Sequence, residues 1–225
     1  MFRSPLPMLA LFLAACGAPE TAGEATGQAQ AGGLPFVVTP VAEFTAPWAM
    51  AFLPDGRMLV TEKSGEMLLL SADGRQRQVV ARMPVDSAGQ GALMDVVPAP
   101  DFASSGRVYF SYSAAGSGGK GVVLARGRLR GEGAATQLGE IEALFRGSPL
   151  VSGDGHYSGR IAFSPDGRHL FFTSGDRQKF DPAQDPKATL GKVLRLTPDG
   201  KPAPGNPLAA KGFHPAVWSY GHRNL

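Results

Sequence analysis

Pro54-Asp55-Gly56-Arg57 runs into Met58-Leu59-Val60-Thr61, and Pro165-Asp166-Gly167-Arg168 runs into His169-Leu170-Phe171-Phe172-Thr173. The same turn recurs as Pro198-Asp199-Gly200-Lys201, with a variant at Pro100-Asp101-Phe102. Each residue of the phrase has a physical task. Proline presets φ for the turn, aspartate bonds the backbone two residues on, and glycine takes positive φ. Each such turn is expected to join two strands into a hairpin. Pro54 to Pro100 spans 46 residues and Pro100 to Pro165 spans 65. A repeat near 40–50 residues, each a small antiparallel sheet, is what a β-propeller blade requires. A β-sandwich with similar turns is the competing architecture.

Outward from these turns lie short strand-like runs: Trp48–Leu53, Arg57–Thr61, Glu66–Leu70, Val108–Ser113, Val122–Leu129, Gly159–Phe163, Leu170–Thr173 and Lys192–Leu196. Turn residues separate them. No apolar pattern holds a helical period for twelve residues, so no long amphipathic helix is expected. The composition agrees. Thirty glycines and 19 prolines among 225 residues make a helical bundle improbable on physical grounds. A hydrophobic content of 43% supplies a core. The formal net charge is only +3, with no lysine- or arginine-rich tract, so nucleic acid is not an expected partner. One cysteine rules out an internal disulfide framework and a cysteine-based zinc site.

The first residues read as a targeting segment. Arg3 gives a short positive region, and Leu6 to Leu13 is apolar but too short to span a bilayer. Leu13-Ala14-Ala15-Cys16 resembles a bacterial lipobox, in which the signal is cut before the cysteine and the cysteine is acylated. Residues 1–15 are therefore read as a lipoprotein signal peptide and Cys16 as the lipidation site. An ordinary secretory signal is the bland alternative. Gly17 after Cys16, rather than aspartate, points by resemblance to an outer-membrane lipoprotein facing the periplasm, or to a periplasmic protein. Residues 16–33 lack periodicity and read as a flexible tether. The folded domain is placed at residues 34–225.

Gly153-Asp154-Gly155-His156-Tyr157-Ser158-Gly159-Arg160 sets one histidine among turn-forming residues. Imidazole titrates near neutral pH and can serve as a base there; a solvent-facing loop histidine is the plain alternative. His169, His214 and His222 show no metal-ligand spacing. Gly116-Ser117-Gly118-Gly119-Lys120-Gly121 lacks the first glycine and the closing Ser or Thr of a phosphate loop, so it reads as a hairpin loop. Gly221-His222-Arg223-Asn224 offers a bidentate donor beside an amide, which suits an anionic or quinonoid ligand.

Together these stretches resemble a known family. Pro47-Trp48-Ala49-Met50-Ala51-Phe52-Leu53-Pro54-Asp55-Gly56 resembles the first blade of the soluble, pyrroloquinoline-quinone (PQQ)-dependent sugar dehydrogenases, the glucose/sorbosone dehydrogenase family, and its aldose sugar dehydrogenases in particular. Gly89-Gln90-Gly91-Ala92-Leu93-Met94-Asp95-Val96-Val97 is similar to the family's G-Q-G-G-L-L-D-V-V, and His156-Tyr157-Ser158-Gly159-Arg160 to its H-x-G-G-R. Thr173-Ser174-Gly175-Asp176, Ala183-Gln184-Asp185, Gly191–Leu196, Gly205-Asn206-Pro207 and Trp218–Asn224 follow in order.

The resemblance implies an all-β, six-bladed propeller with the quinone over its channel; this chain could build about three to four blades. It implies His156 as the general base toward the anomeric hydroxyl of an aldose, with hydride passing to the quinone. It implies Arg223 near the quinone's reactive oxygens, Asn224 and Gln90 on the cofactor, and Gln90 and Asp176 by the substrate. Calcium is the implied metal, with ligands expected beyond Leu225, and electrons would go on to an external acceptor. Family members are longer, so the chain is expected to be the N-terminal half and inactive alone. Ser158 and Ala92 depart from family glycines. A non-catalytic propeller lipoprotein that binds carbohydrate or a protein is the second reading. A lactonase-like propeller hydrolase is the third, and it lacks an assembled set of calcium ligands here.

Overall fold

The structure, a computed structural model, describes residues 35–225; the signal segment, Cys16 and the whole tether lie outside the described residues. Among the described residues twelve strands form three four-stranded antiparallel sheets. The first holds β1 (Pro47–Phe52), β2 (Met58–Glu62), β3 (Glu66–Leu70) and β4 (Arg77–Arg82). The second holds β5 (Leu93–Pro98), β6 (Arg107–Gly116), β7 (Gly119–Arg130) and β8 (Gln137–Arg146). The third holds β9 (Ser158–Phe163), β10 (Leu170–Ser174), β11 (Lys192–Leu196) and β12 (Val217–Tyr220). Strand order in each sheet follows chain order, so each is a meander, the form of a propeller blade. The single α-helix among the described residues, α1, is four residues long (Phe102–Ser105).

The repeated phrase performs as its chemistry dictates. Between β1 and β2 the Gly56 N–H donates to Leu53 O at 2.9 Å, and between β9 and β10 the Gly167 N–H donates to Ser164 O at 2.8 Å. Asp55 and Asp166 each accept the N–H two residues on at 3.1 Å. Gly56 and Gly167 sit at φ 86° and 68°. Pro100-Asp101-Phe102 holds the same place in the second blade, but leads into α1 before β6. Pro198-Asp199-Gly200 follows a third strand instead, like Ser71-Ala72-Asp73-Gly74 after β3; Gly200 N–H donates to Thr197 O, as Gly74 N–H does to Ser71 O, both at 2.9 Å. The repeat lengthens in the second blade because β6 and β7 are 10 and 12 residues long. Gly116 to Gly119 is the tight turn between them.

Two apolar layers lie between the sheets. Leu59, Met67 and Leu69 of the first blade meet Val108, Phe110 and Val123 of the second. Tyr109, Val122 and Leu124 from the second blade's other face meet Ile161, Leu170, Phe172 and Leu194 of the third. Alternate residues of one strand thus serve opposite layers, as the pleat requires. Polar side chains fasten the first strands across the blades. Thr61 Oγ1 donates to Met94 O at 2.5 Å, Ser111 Oγ donates to Gly159 O at 2.6 Å, and Asp95 Oδ2 accepts the Ile161 N–H at 2.8 Å.

A meander puts its first and third turns at one end of the blade. Its middle turn and the link to the next blade go to the other end. The Pro-Asp-Gly turns therefore occupy one end. The loops carrying Gln90, His156, Asp176 and Arg223 leave from the opposite one.

Candidate active site

Of the five residues singled out by the family motifs, Gln90, His156 and Asp176 meet through side-chain hydrogen bonds at that end, Arg223 joins them through its carbonyl, and Asn224 bonds the nearby Ser158. His156, in the link from β8 to β9, is buried, and its Nδ1 lies 2.7 Å from Asp176 Oδ1. Asp176 follows β10 and is 2% exposed. Its Oδ1 also accepts the Gln178 N–H at 2.9 Å, and its own N–H donates to Arg223 O at 2.8 Å. The His156 N–H donates to Gln90 Oε1 at 2.6 Å, while Gln90 N–H donates to Asp154 O at 2.7 Å. Asn224 Oδ1 accepts the Ser158 N–H at 3.1 Å and the Ser158 hydroxyl at 3.2 Å. The Arg223 side chain is exposed and makes no ion pair among the described residues; its carbonyl, through Asp176, ties it to the set.

The backbone around His156 is strained. His156 and Ser158 have φ of 51° and 60°; Arg177, Gln178 and Phe180, on the facing segment, have φ of 55°, 59° and 58°. Non-glycine residues held there cost about 1–3 kcal/mol each, persist only where surroundings over-determine them, and cluster at functional sites. The two segments touch closely: a Cβ on Gly175 would stand 2.0 Å from His156 O, so no larger residue fits. Ser158, at a position where the resemblance has glycine, is one of these positive-φ residues. Its Oγ accepts the Leu225 N–H at 2.8 Å and donates to Asn224, giving the serine a task that glycine lacks.

Beside these residues is a cleft of about 420 Å³, lined among others by Trp48, Lys63, Gln90, Tyr157, Arg160 and Asn224. Lys63 Nζ donates to Gly89 O at 2.6 Å and keeps further donors, and the Arg160 guanidinium lies 4.3 Å from the Trp48 ring centroid. The buried Tyr157 hydroxyl has no hydrogen-bond partner among the described residues. Lys63, two amides and aromatic walls, with an Arg160 that shares its charge with Asp95 at 3.3 Å, fit a planar ligand bearing carboxylates. Calcium is a different matter: among the described residues no group of three or more His, Cys, Asp or Glu could hold a metal ion.

Sequence reasoning missed two buried cations. Arg177, 1% exposed, follows Asp176 directly. Lys192, fully buried at the head of β11, donates to Pro182 O, Ala183 O and Leu190 O at 2.7, 2.9 and 2.9 Å. Burial pushes its ammonium down to about 8, against the charge of Asp185. Ala183 O also accepts the Gly221 N–H, and Gly191 O the His222 N–H, so Lys192 fixes the bed on which Arg223 and Asn224 rest. A lysine or arginine reads as solvated, since charged residues are seldom fully buried. The usable signals are Arg177 standing beside a motif aspartate and Lys192 standing inside the Gly191–Leu196 motif.

Residues 44–225 match the Glucose / Sorbosone dehydrogenase family. The chain is 38% identical over 182 residues to the aldose sugar dehydrogenase YliI of Escherichia coli (strain K12), covering 79% of this chain and 48% of that protein. A crystal structure of a glucose dehydrogenase superposes with a TM-score of 0.73 at 39% identity, covering 79% of this chain and 52% of that one. The PQQ-bound form of an aldose sugar dehydrogenase from Streptomyces coelicolor superposes with a TM-score of 0.70 at 33% identity, covering 84% and 55%. The chain thus spans about half the length of these relatives. With three meander blades, this likeness and a match from residue 44 to residue 225, the chain belongs to the glucose/sorbosone dehydrogenase family.

Proposed function

We propose that this chain contributes the base and part of the cofactor bed of a PQQ-dependent aldose dehydrogenase, which oxidises the anomeric C1 hydroxyl of an aldose to the lactone. The observation that carries this reading is the buried His156–Asp176 pair, tied to Gln90 and to the Arg223 carbonyl at one end of the blades, with Asn224 on the neighbouring Ser158. Asp176 takes the Nδ1 side of the imidazole, fixing the ring and leaving Nε2 for the substrate. His156 then accepts the hydroxyl proton at Nε2 as the C1 hydrogen departs as hydride, and the positive charge that forms is met by Asp176. Bound pyrroloquinoline quinone supplies the two-electron acceptor. Gln90 and Asn224 offer amides to it, Arg223 a cation where negative charge grows, and Lys63 and Arg160 counter-charges for carboxylates. Gln90 would also serve the sugar. Calcium belongs to the reading through the resemblance alone, and no step of the chemistry is drawn through it. An external acceptor would carry the electrons away.

Dye reduction by the full-length protein, supplied with the quinone and calcium, tests the assignment. Aldoses should support turnover and simple alcohols should not; equal rates with both would refute it. We further propose that Cys16 is acylated and holds the domain at a membrane facing the periplasm. Fatty-acid labelling that survives Cys16→Ser would refute that anchor.

A further inference from the structure

Arg177 is the largest fully buried side chain among the described residues, and it forms no ion pair among them; the charges of Asp154 and Asp86 reach it from a distance. The nearest acidic groups are already committed: Lys120 Nζ pairs with Asp86 at 2.9 Å and with Asp154 at 2.6 Å. Arg177 instead spends its donors on backbone. Nε donates to Gly155 O at 2.8 Å, one terminal nitrogen to Lys120 O at 2.6 Å, and the other to Gly153 O. Its Cζ stands 3.6 Å from the centroid of the Tyr157 ring. These contacts bracket His156 on both sides. The Arg177 N–H also donates to His156 O at 3.3 Å.

We propose that Arg177 is the positioning residue of His156: its guanidinium clamps Gly153, Gly155, Tyr157 and the Lys120 backbone so that the imidazole stays seated against Asp176. The neighbours 176 and 177 divide the work. One grips the ring and the other grips the turn that carries it. Only arginine suits this geometry, because three carbonyls in different directions need a planar fork, and its flat face can lie on an aromatic ring. The ammonium of a lysine reaches fewer of them and stacks less well. The clamp also explains how His156 keeps its left-handed φ of 51°: the carbonyls just before it are pinned, so the turn cannot relax to an extended form.

This role rests on His156 acting as the base of the proposed oxidation, so the test needs one readout that does not depend on activity. Proton NMR of the full-length protein reads the downfield Nδ1 proton shared between His156 and Asp176. Kinetics of the quinone-loaded protein reads kcat and KM. With Arg177→Met, the downfield signal should vanish or broaden, and kcat should fall about 10- to 100-fold with KM for the aldose within about twofold. Arg177→Lys, which keeps a charge but not the fork, should fold and lie between. Both variants keeping the wild-type resonance and kcat would overturn the positioning role. So would a loss confined to KM or to thermal stability. A resonance lost in Arg177→Met, in a protein whose wild type oxidises no aldose, would uphold the clamp and remove the function proposed for His156.

Discussion

Replacing Asp176 with asparagine isolates the charge of the pair from its shape. The two side chains are isosteric, and the asparagine oxygen can still accept the His156 Nδ1–H and the Gln178 N–H, now 2.7 and 2.9 Å away. What disappears is the negative charge that faces the imidazolium as His156 takes a proton. With the charges about 4 Å apart in a medium of effective dielectric about 20, the full pair is worth about 4 kcal/mol. Asp176 is 2% exposed, so bulk water does little to weaken it. With the proton about half transferred in the transition state, about 2 kcal/mol of that is felt. At about 1.4 kcal/mol per factor of ten, Asp176→Asn should lower kcat about 30-fold. The assay is steady-state dye reduction by the quinone-loaded, full-length protein across pH, with KM measured alongside. KM should change little, because the lost interaction grows only as charge develops. A folded variant with kcat within about threefold of wild type would refute the reasoning: His156 would then gain no charge in the rate-limiting step.

Two further outcomes follow from buried groups. Ser158 holds φ 60°, where glycine carries no steric penalty, so Ser158→Gly should be about 1 kcal/mol more stable than Ser158→Ala, the reverse of the usual order in strands; urea unfolding of both variants measures this, and a more stable alanine variant would refute it. Lys192 has its ammonium pushed from 10.5 down to about 8 by burial, so between these values the unfolded chain holds a proton that the native one has shed. Stability contributed by this lysine must then rise with pH across that window, by about 3 kcal/mol at full span. The stability difference between wild type and Lys192→Met should therefore move in favour of wild type from pH 7.5 to pH 10, and a flat difference would show that the three carbonyl acceptors hold the proton in place.

Much of the fold was legible because its punctuation is chemical. Pro-Asp-Gly can do little but turn, and the turns at Pro54 and Pro165 sit between strands in the way their donors and φ values require. The outer strands β4 and β8 were harder to see. Gln137–Arg146 is mostly exposed, with Leu138 its only buried residue, so no core face imposes an alternating pattern on it. Strand β5 hides differently: Asp95 interrupts its apolar run, yet is buried because it accepts the Ile161 and Val96 N–H groups, and burial pushes its carboxyl up. At the site, Gln90, His156, Asp176, Arg223 and Asn224 are legible through motif order; the structure bonds Gln90 and Asp176 to His156, the Arg223 carbonyl to Asp176, and Asn224 to Ser158. The roles of Arg177 and Lys192 are not, because their partners are carbonyls from loops that only the folded chain assembles. Ser158 departs from the glycine that the resemblance implies, but its bonds to Asn224 and Leu225 join residues 66 and 67 positions away and leave no local mark.

The central claim is that His156 takes the substrate proton. Single-turnover reduction of the quinone in the full-length protein by an aldose, followed for wild type and His156→Ala, tests it most directly. The cofactor should still bind the variant, since Gln90, Arg223 and Asn224 remain, while the reduction step should slow about 100- to 10,000-fold, the range for losing a general base. Reduction at the wild-type rate by a variant that binds the quinone normally would contradict it.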